Sequence, residues 1–259
     1  MAGSVIIGGK SYSGGSSIPD EVIVSSPAST SAEVRTSTNS TFRLGRQSSV
    51  RMRKRESGLL RGSALVSSGR GLVGRRSESV RAGGARIDCR GTVLMAVNGD
   101  QVKVTCLEGG ANVRLTETRG QFLRLEPGTM VLLESSSGVM PDRVEVDLER
   151  LTDTAALTCT HFGELPSSRS IRKAIARQRR DIEKGKLLAS DVTVSGSGGT
   201  TTVGGNSGTG QNSNSNSGSS SSSSSGGGSS SSGGGGGSAG GGGAVASAGG
   251  SLSAAAVCA

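Results

Sequence analysis

The sequence predicts an all-β fold, an antiparallel sandwich, jelly-roll-like arrangement or irregular barrel, followed by one basic amphipathic helix and a Gly/Ser tail. Three observations carry that expectation. Up to about Asp153 the chain is a succession of short apolar runs broken by Gly, Ser, Asn and Pro at intervals of about 8–12 residues, with no helical period between them. From Ser168 the period changes to that of a helix. From Ser195 to the end no charged residue occurs and Gly and Ser dominate.

Aromatic residues are scarce: Tyr12, Phe42, Phe122 and Phe162 are the whole set, and Trp is absent. A core must therefore be built from Val, Leu and Ile, which suit a pleated surface. The expected strands are Glu21–Val24, Thr41–Leu44, Ser48–Arg53, Leu59–Val66, Thr92–Val97, Gln101–Leu107, Val113–Leu115, Gln121–Leu125 and Thr129–Glu134. Val144 and Val146 make the last. Asn98-Gly99-Asp100, between two alternating runs, is the strongest hairpin signal in the chain, because Asn-Gly supplies the positive φ angles of a tight turn. Turn or kink positions fall at Gly45, Gly62, Gly91, Gly109 and Gly128. Glu145, Asp147 and Glu149 alternate and read as the solvent face of the last strand.

The helical stretch Ser168–Ser190 places Ile171, Ala174, Ile175, Ile182 and Leu187 near one face, and Gly185 weakens its end. Arg172, Lys173, Arg177, Arg179 and Arg180 lie on the other. Such a helix either packs its apolar stripe on the parent domain or lies on an anionic membrane or RNA. For the tail, ordering about 65 residues costs roughly 65–130 kcal/mol of backbone entropy with little apolar area to offset it, so disorder is expected. The resulting division is 4–157 for the β-domain, 158–167 for a connector, 168–189 for the helix and 195–259 for the tail.

The formal charge of +9 is unevenly placed. Residues 35–90 hold 14 basic and three acidic side chains, 91–167 hold six and 11, and 168–190 hold eight and two. Basic surfaces attract nucleic acid, anionic lipid or acidic polysaccharide; attraction between the basic and acidic parts of the chain is the competing explanation. Arg51, Arg53, Lys54 and Arg55 form the densest basic run. With the five basic residues of the helix they are the candidate polyanion contacts.

Catalytic and cofactor signals are weak. Gly69 to Gly74 spells G-x-G-x-x-G, but the following residues open no helix, as a dinucleotide site requires. His161 is the only histidine, and nothing around it resembles a nucleophile elbow. Cys89, Cys106, Cys159 and Cys258 show no C-x-x-C spacing, so no zinc site, metal or cofactor is expected. Cys89 and Cys106 continue apolar alternations and are expected as buried free thiols, with a Cys89–Cys106 disulfide as the alternative. The first thirty residues contain no apolar run of signal-peptide length, and no run approaches the length of a membrane span.

The order of the strand blocks resembles the FecR domain family. STFRLGRQSSVRM (Ser40–Met52) is similar to its S-x-x-R-L-G-x-x-S-x-V segment, and LLRGSALV (Leu59–Val66) to its L-x-R-G-x-x-x-V strand. VRAGGARIDCRGTVLMAV (Val80–Val97), Val102–Leu115 and Leu123–Leu133 resemble three further blocks in the family's order. The resemblance implies an all-β, non-enzymatic module of the bacterial cell envelope, periplasmic or extracellular, whose partner is another protein or an envelope polymer. Named members pass the state of an outer-membrane receptor to a sigma factor. The sequence shows no stretch resembling their anti-sigma segment or membrane helix, so that role is not expected here. The alternative is a cytoplasmic protein that associates with nucleic acid through the Arg-rich first half and the basic helix.

Overall fold

The computed structural model describes residues 4–15, 19, 21–71, 74–75, 77–116, 121–158, 162–187, 192–196 and 199–204. The strands are β1 (Val5–Ile7), β2 (Lys10–Tyr12), β3 (Ile23–Ser25), β4 (Ala32–Arg35), β5 (Thr41–Leu44), β6 (Ser49–Arg51) and β7 (Ser57–Ser67). They continue with β8 (Arg70–Gly71), β9 (Gly74–Arg75), β10 (Glu78–Ala82), β11 (Ala85–Cys89), β12 (Thr92–Asn98), β13 (Gln101–Glu108) and β14 (Ala111–Leu115). Last come β15 (Phe122–Leu125), β16 (Thr129–Glu134), β17 (Val144–Val146), helices α1 (Leu148–Thr154) and α2 (Ser168–Glu183), then β18 (Val192–Gly196) and β19 (Gly199–Gly204).

Pairing resolves these strands into two antiparallel layers joined by one long strand. The first layer runs β2-β1-β3-β6-β7-β10-β11-β14-β15, with β7 and β10 its one parallel contact. The second runs β4-β5-β7-β12-β13-β16-β17-β19-β18. Strand β7 serves both: residues 57–61 pair with β6 and β10, and residues 62–67 with β5 and β12. Neither layer closes on itself, so of the expected forms the sandwich is the one adopted.

The main core lies between the layers. Val24, Val50, Leu59, Val80, Ile87, Val113 and Leu125 come from the first sheet, and Phe42, Leu44, Val66, Met95, Val104, Val131 and Leu133 from the second. Alternation along each strand sends the intervening residues outward. On the second sheet these outward residues are also apolar: Leu65, Leu94, Leu107 and Met130 form a second cluster with Leu148, Leu151, Phe162, Leu165 and Ile171. The helical region covers that face because a sheet apolar on both sides must be covered on both. The outer face of the first sheet is covered by no helix among the described residues.

Several sequence expectations are corrected. Asp147 and Glu149 do not extend the last strand's solvent face: Asp147 caps α1, its carboxylate accepting from the Arg150 amide at 3.0 Å, and Glu149 stands in the first turn. Seven residues are too few to display a helical period. Helix α2 stops at Glu183 instead of 189, because Gly185 turns the chain with φ of +65° and the Lys186 amide donates back to the Asp181 carbonyl. Ile182 on the predicted apolar face is 37% exposed. The expected start of the tail at 195 falls inside β18, where Val192, Val194 and Val203 bring β-branched residues to the hairpin. Strands β1, β2 and β4 are three or four residues long and carried no recognised pattern. Residues 205–259, Cys159 and His161 lie outside the described residues.

Gly62 is the hinge of β7. Its φ is +80°, and a Cβ there would approach the Ser48 Cα to 2.8 Å. Gly62→Ala combines left-handed backbone strain with a backbone collision, so it lowers the unfolding free energy by about 2–4 kcal/mol in urea denaturation.

Candidate functional site: a cross-strand arginine row

The outer face of the first sheet carries an arrangement that no local stretch of sequence displays. Strand register places Ile23 opposite Arg51, Arg51 opposite Gly58, Gly58 opposite Arg81, Arg81 opposite Arg86, Arg86 opposite Arg114 and Arg114 opposite Phe122. One row across seven strands thus holds four arginines, interrupted by a glycine and ended by two apolar side chains. At about 4.8 Å between strands, Arg51 and Arg114 start about 19 Å apart. The adjacent row aligns Ser79, Asp88, Asn112 and Arg124.

The residues between those of the rows, Val24, Val50, Leu59, Val80, Ile87 and Val113, are buried, which fixes the arginines outward. Glu56, from the loop before β7, meets Arg81 at 3.1 Å and Arg86 at 3.5 Å, and Asp88 meets Arg86 at 3.3 Å. Among the described residues Arg51 and Arg114 form no ion pair. Like charges directly opposite each other in a sheet are destabilising, so two carboxylates shared among five arginines leave a net positive face. Of the residues predicted to contact polyanions, Arg51 stands in this row. Arg53, Lys54 and Arg55 are exposed in the loop that follows β6. Arg81, Arg86, Arg114 and Arg124 were not singled out; each sits alone in its own segment, and only the register brings them together.

The basic helix faces elsewhere. It packs on the outer side of the second sheet, so the two predicted basic groups lie on opposite sides of the sandwich and form no common surface. Arg172 pairs with Glu164 at 2.7 Å, Arg179 forms a bidentate pair with Glu149 in α1, and Arg180 donates to the Ala176 carbonyl. Lys173 and Arg177 line a cleft of about 740 Å³ against the end of β13 and the turn at Pro127, with Glu126, Glu145 and Asp181 also on its wall. Attraction to the acidic part of the chain therefore accounts for two of the five predicted helical contacts. Gln178 fastens α2 further: its amide nitrogen donates to the Val146 carbonyl at 2.6 Å, and its oxygen accepts from the Leu148 amide at 3.0 Å.

A buried cation holds the connector under these helices. Arg43, 1% exposed on β5, donates to Glu33 at 2.9 Å, to the Leu157 carbonyl at 3.1 Å and to the Gly163 carbonyl at 2.7 Å, and lies 5.1 Å from the Phe162 ring centroid. Burial lowers its pKa, and Glu33 works against that shift. Nearby, the Thr92 hydroxyl lies 2.6 Å from Ser167 and 3.1 Å from both Ser67 and Glu108. This polar knot ties the start of α2 to β7, β12 and β13 beside a cavity of about 410 Å³.

Of the remaining sequence candidates, Gly62, Gly109 and Gly128 adopt positive φ, whereas Gly45 and Gly91 press against Ser63 and the Glu108 carbonyl. The G-x-G-x-x-G stretch opens the small β8–β9 hairpin instead of a helix. Cys89 and Cys106 are free and buried in the main core, on opposite sheets. Burial pushes the Cys106 thiol up to about 12 and the Cys89 thiol well above its usual value. No group of three or more metal-ligating side chains occurs among the described residues, and none of their helices is long and apolar enough to cross a membrane.

These features define a two-sheet β module with a helical cap on one sheet and a bare, basic face on the other. Residues 22–112, from the start of β3 into β14, match the family model described as FecR protein, which is about a third of the chain. The block resemblance holds there, and Leu123–Leu133 falls beyond it. Two solved structures, at 2.50 and 1.65 Å resolution, are similar to the chain. Both are of a candidate anti-sigma factor from Parabacteroides distasonis, with a TM-score of 0.43 and 16% identity over 51% of this chain. This chain spans 62% and 63% of theirs. A search of the curated proteins finds no match.

Two outcomes follow from the buried groups. Arg43→Ala leaves the Leu157 and Gly163 carbonyls without this donor and Glu33 with Arg35 as its remaining partner, and destabilises the fold by about 3–5 kcal/mol in thermal or urea unfolding. In a chain carrying Cys159→Ser and Cys258→Ser, the two remaining thiols react with Ellman's reagent at pH 8 about 100-fold more slowly than in urea, because neither forms a thiolate in the core.

Proposed function

We propose that this protein is a non-enzymatic binding or sensing module of the bacterial cell envelope. The FecR match over 22–112 is the observation that supports this reading, since FecR-type proteins are regulators. The geometry agrees in kind. The polar residues buried in the β body act as fasteners: Arg43 holds backbone carbonyls, and Thr92, Ser67 and Ser167 engage one another. The surfaces with unspent binding capacity are a sheet face and a helix flank, as in a module that works by contact.

Association with nucleic acid in the cytoplasm is the second reading, and the placement of the basic groups weakens its original form. It called for the Arg-rich first half and the α2 helix to act together, yet they face away from each other, and Arg172 and Arg179 are engaged by Glu164 and Glu149.

Fractionation separates the two. The full chain, expressed from its own locus with a C-terminal tag, is expected in the periplasmic or envelope fraction and to be degraded by protease added to spheroplasts. A protease-protected pool that leaves the nucleoid fraction on nuclease treatment would overturn the envelope assignment.

A further inference from the structure

The outer face of the first sheet has physical features, in its strand register and in its exposed apolar residues, that the regulatory reading does not use. Arg81 opposite Arg86 and Arg86 opposite Arg114 are like-charge pairs in the positions where cross-strand repulsion is strongest. Arg81 and Arg86 are offset by Glu56 and Asp88, but Arg114, opposite Arg86, forms no ion pair among the described residues, and a solvated face with no partner would gain stability from a neutral or acidic residue there. The row is also bracketed by large apolar side chains on the same face. Ile23 is 42% exposed beside Arg51, and Phe122 is 62% exposed beside Arg114. Leu60, 44% exposed, projects from the irregularity in β7, and Ile6 on β1 is 37% exposed. Four of the seven exposed large hydrophobic residues among those described thus share one face with the arginines.

We infer that this face is a docking surface for an anionic lipid membrane. Guanidinium groups spaced along about 19 Å match a plane of phosphate headgroups, and the aliphatic and phenyl side chains at the ends of the row reach the depth at which interfacial proteins bury apolar groups. The chemistry of the apolar residues separates this from a nucleic-acid surface. Single strands are held by aromatic platforms that stack on bases, and Phe122 is the one aromatic here; Ile6, Ile23 and Leu60 offer nothing to a base but suit an acyl boundary. The helical cap lies on the far side of the sandwich, and Arg124 at the margin of the first sheet also lines the cleft beside α2, so docking through the Arg51–Arg114 row leaves the exposed flank of α2 open to a second partner.

Vesicle co-sedimentation of the full chain tests the assignment, with vesicles of phosphatidylcholine alone and of phosphatidylcholine with 30% phosphatidylglycerol. Binding is expected only to the anionic vesicles, weakening steeply as salt rises and screening sets in. Arg51→Ser with Arg114→Ser, two exposed residues outside every ion pair among the described residues, should lower the partition coefficient about 25-fold, at roughly five-fold per arginine. Ile23→Ser with Phe122→Ser should lower it again. Lys173→Ser with Arg177→Ser on α2 should leave it unchanged. Unfolding midpoints at or above that of the parent chain would show that the arginine variants fold. The assignment is overturned if the anionic vesicles are not bound, if neutral vesicles bind equally, or if the α2 variants lose as much binding as the sheet variants. Tight binding of single-stranded DNA, sensitive to the same arginines and without vesicle binding, would give the face to nucleic acid instead.

Discussion

Both layers of the sandwich hang on a single strand. Strand β7 can serve two sheets only if it turns sharply between Arg61 and Ser63, and the turn is possible because Gly62 takes a φ of +80° where Ser48 leaves no room for a side chain. The same Ser48 accepts the Ser63 amide on its hydroxyl at 2.9 Å, replacing a ladder bond that the bend removes. Once β7 is bent, the neighbours of its two halves are assigned: β6 and β10 to one sheet, β5 and β12 to the other. The inward residues of those strands then meet as one core, and everything on the outer faces is placed by alternation.

That placement explains why the two outer faces differ so much. On the second sheet, alternation turns Leu65, Leu94 and Leu107 outward, and the cost of leaving them wet, about 1.5–3 kcal/mol each, draws the chain back as α1, the 155–165 connector and α2. The cap is then fastened by polar groups of high specificity. Arg43 projects from the outer face of the second sheet to take two connector carbonyls, and Gln178 replaces a strand partner for Val146. A buried cation of this kind contributes little net stability but strongly disfavours alternative paths for the connector, because any path without those carbonyls leaves a charge desolvated. On the first sheet the outward residues are Arg, Asp, Asn and Ser with a few aliphatics, and no part of the described chain returns to cover them.

The legible and illegible parts of this molecule divide along sequence distance. The Asn98-Gly99 hairpin, the Thr129–Glu134 strand, the start of α2 at Ser168 and the inward direction of Cys89 and Cys106 all depend on residues within a few positions of one another, and each could be read directly. Helix α1 was missed because seven residues hold less than two full turns, and its cap Asp147 also continues the alternation of the strand before it. The role of Arg43 was hidden for a different reason. Its partners Leu157 and Gly163 lie 114 and 120 residues away, and inside the R-L-G segment it looks like any exposed strand arginine. The basic run Arg51–Arg55 was visible as a cluster in sequence, yet only Arg51 enters the row that the fold assembles.

The arginine row is the extreme case of this division, and it bears on how function is carried here. Arg81, Arg86 and Arg114 occupy three neighbouring strands, the first two joined by a turn and the third reached only after β12 and β13, and in each strand a lone outward arginine is the commonest sort of surface residue. Their alignment, and that of Phe122 at the end of the row, arises from three registers, each fixed independently by the apolar residues on the other face: Val80 against Ile87, Ile87 against Val113, and Val113 against Leu123 for Phe122. A shift of one residue in any of them would move those valines and isoleucines into water as well as breaking the row. The core that stabilises the sandwich and the row of charge on its surface are therefore two readings of a single set of pairings, and the repulsion among the arginines is tolerated because the buried side of the same strands holds them in place.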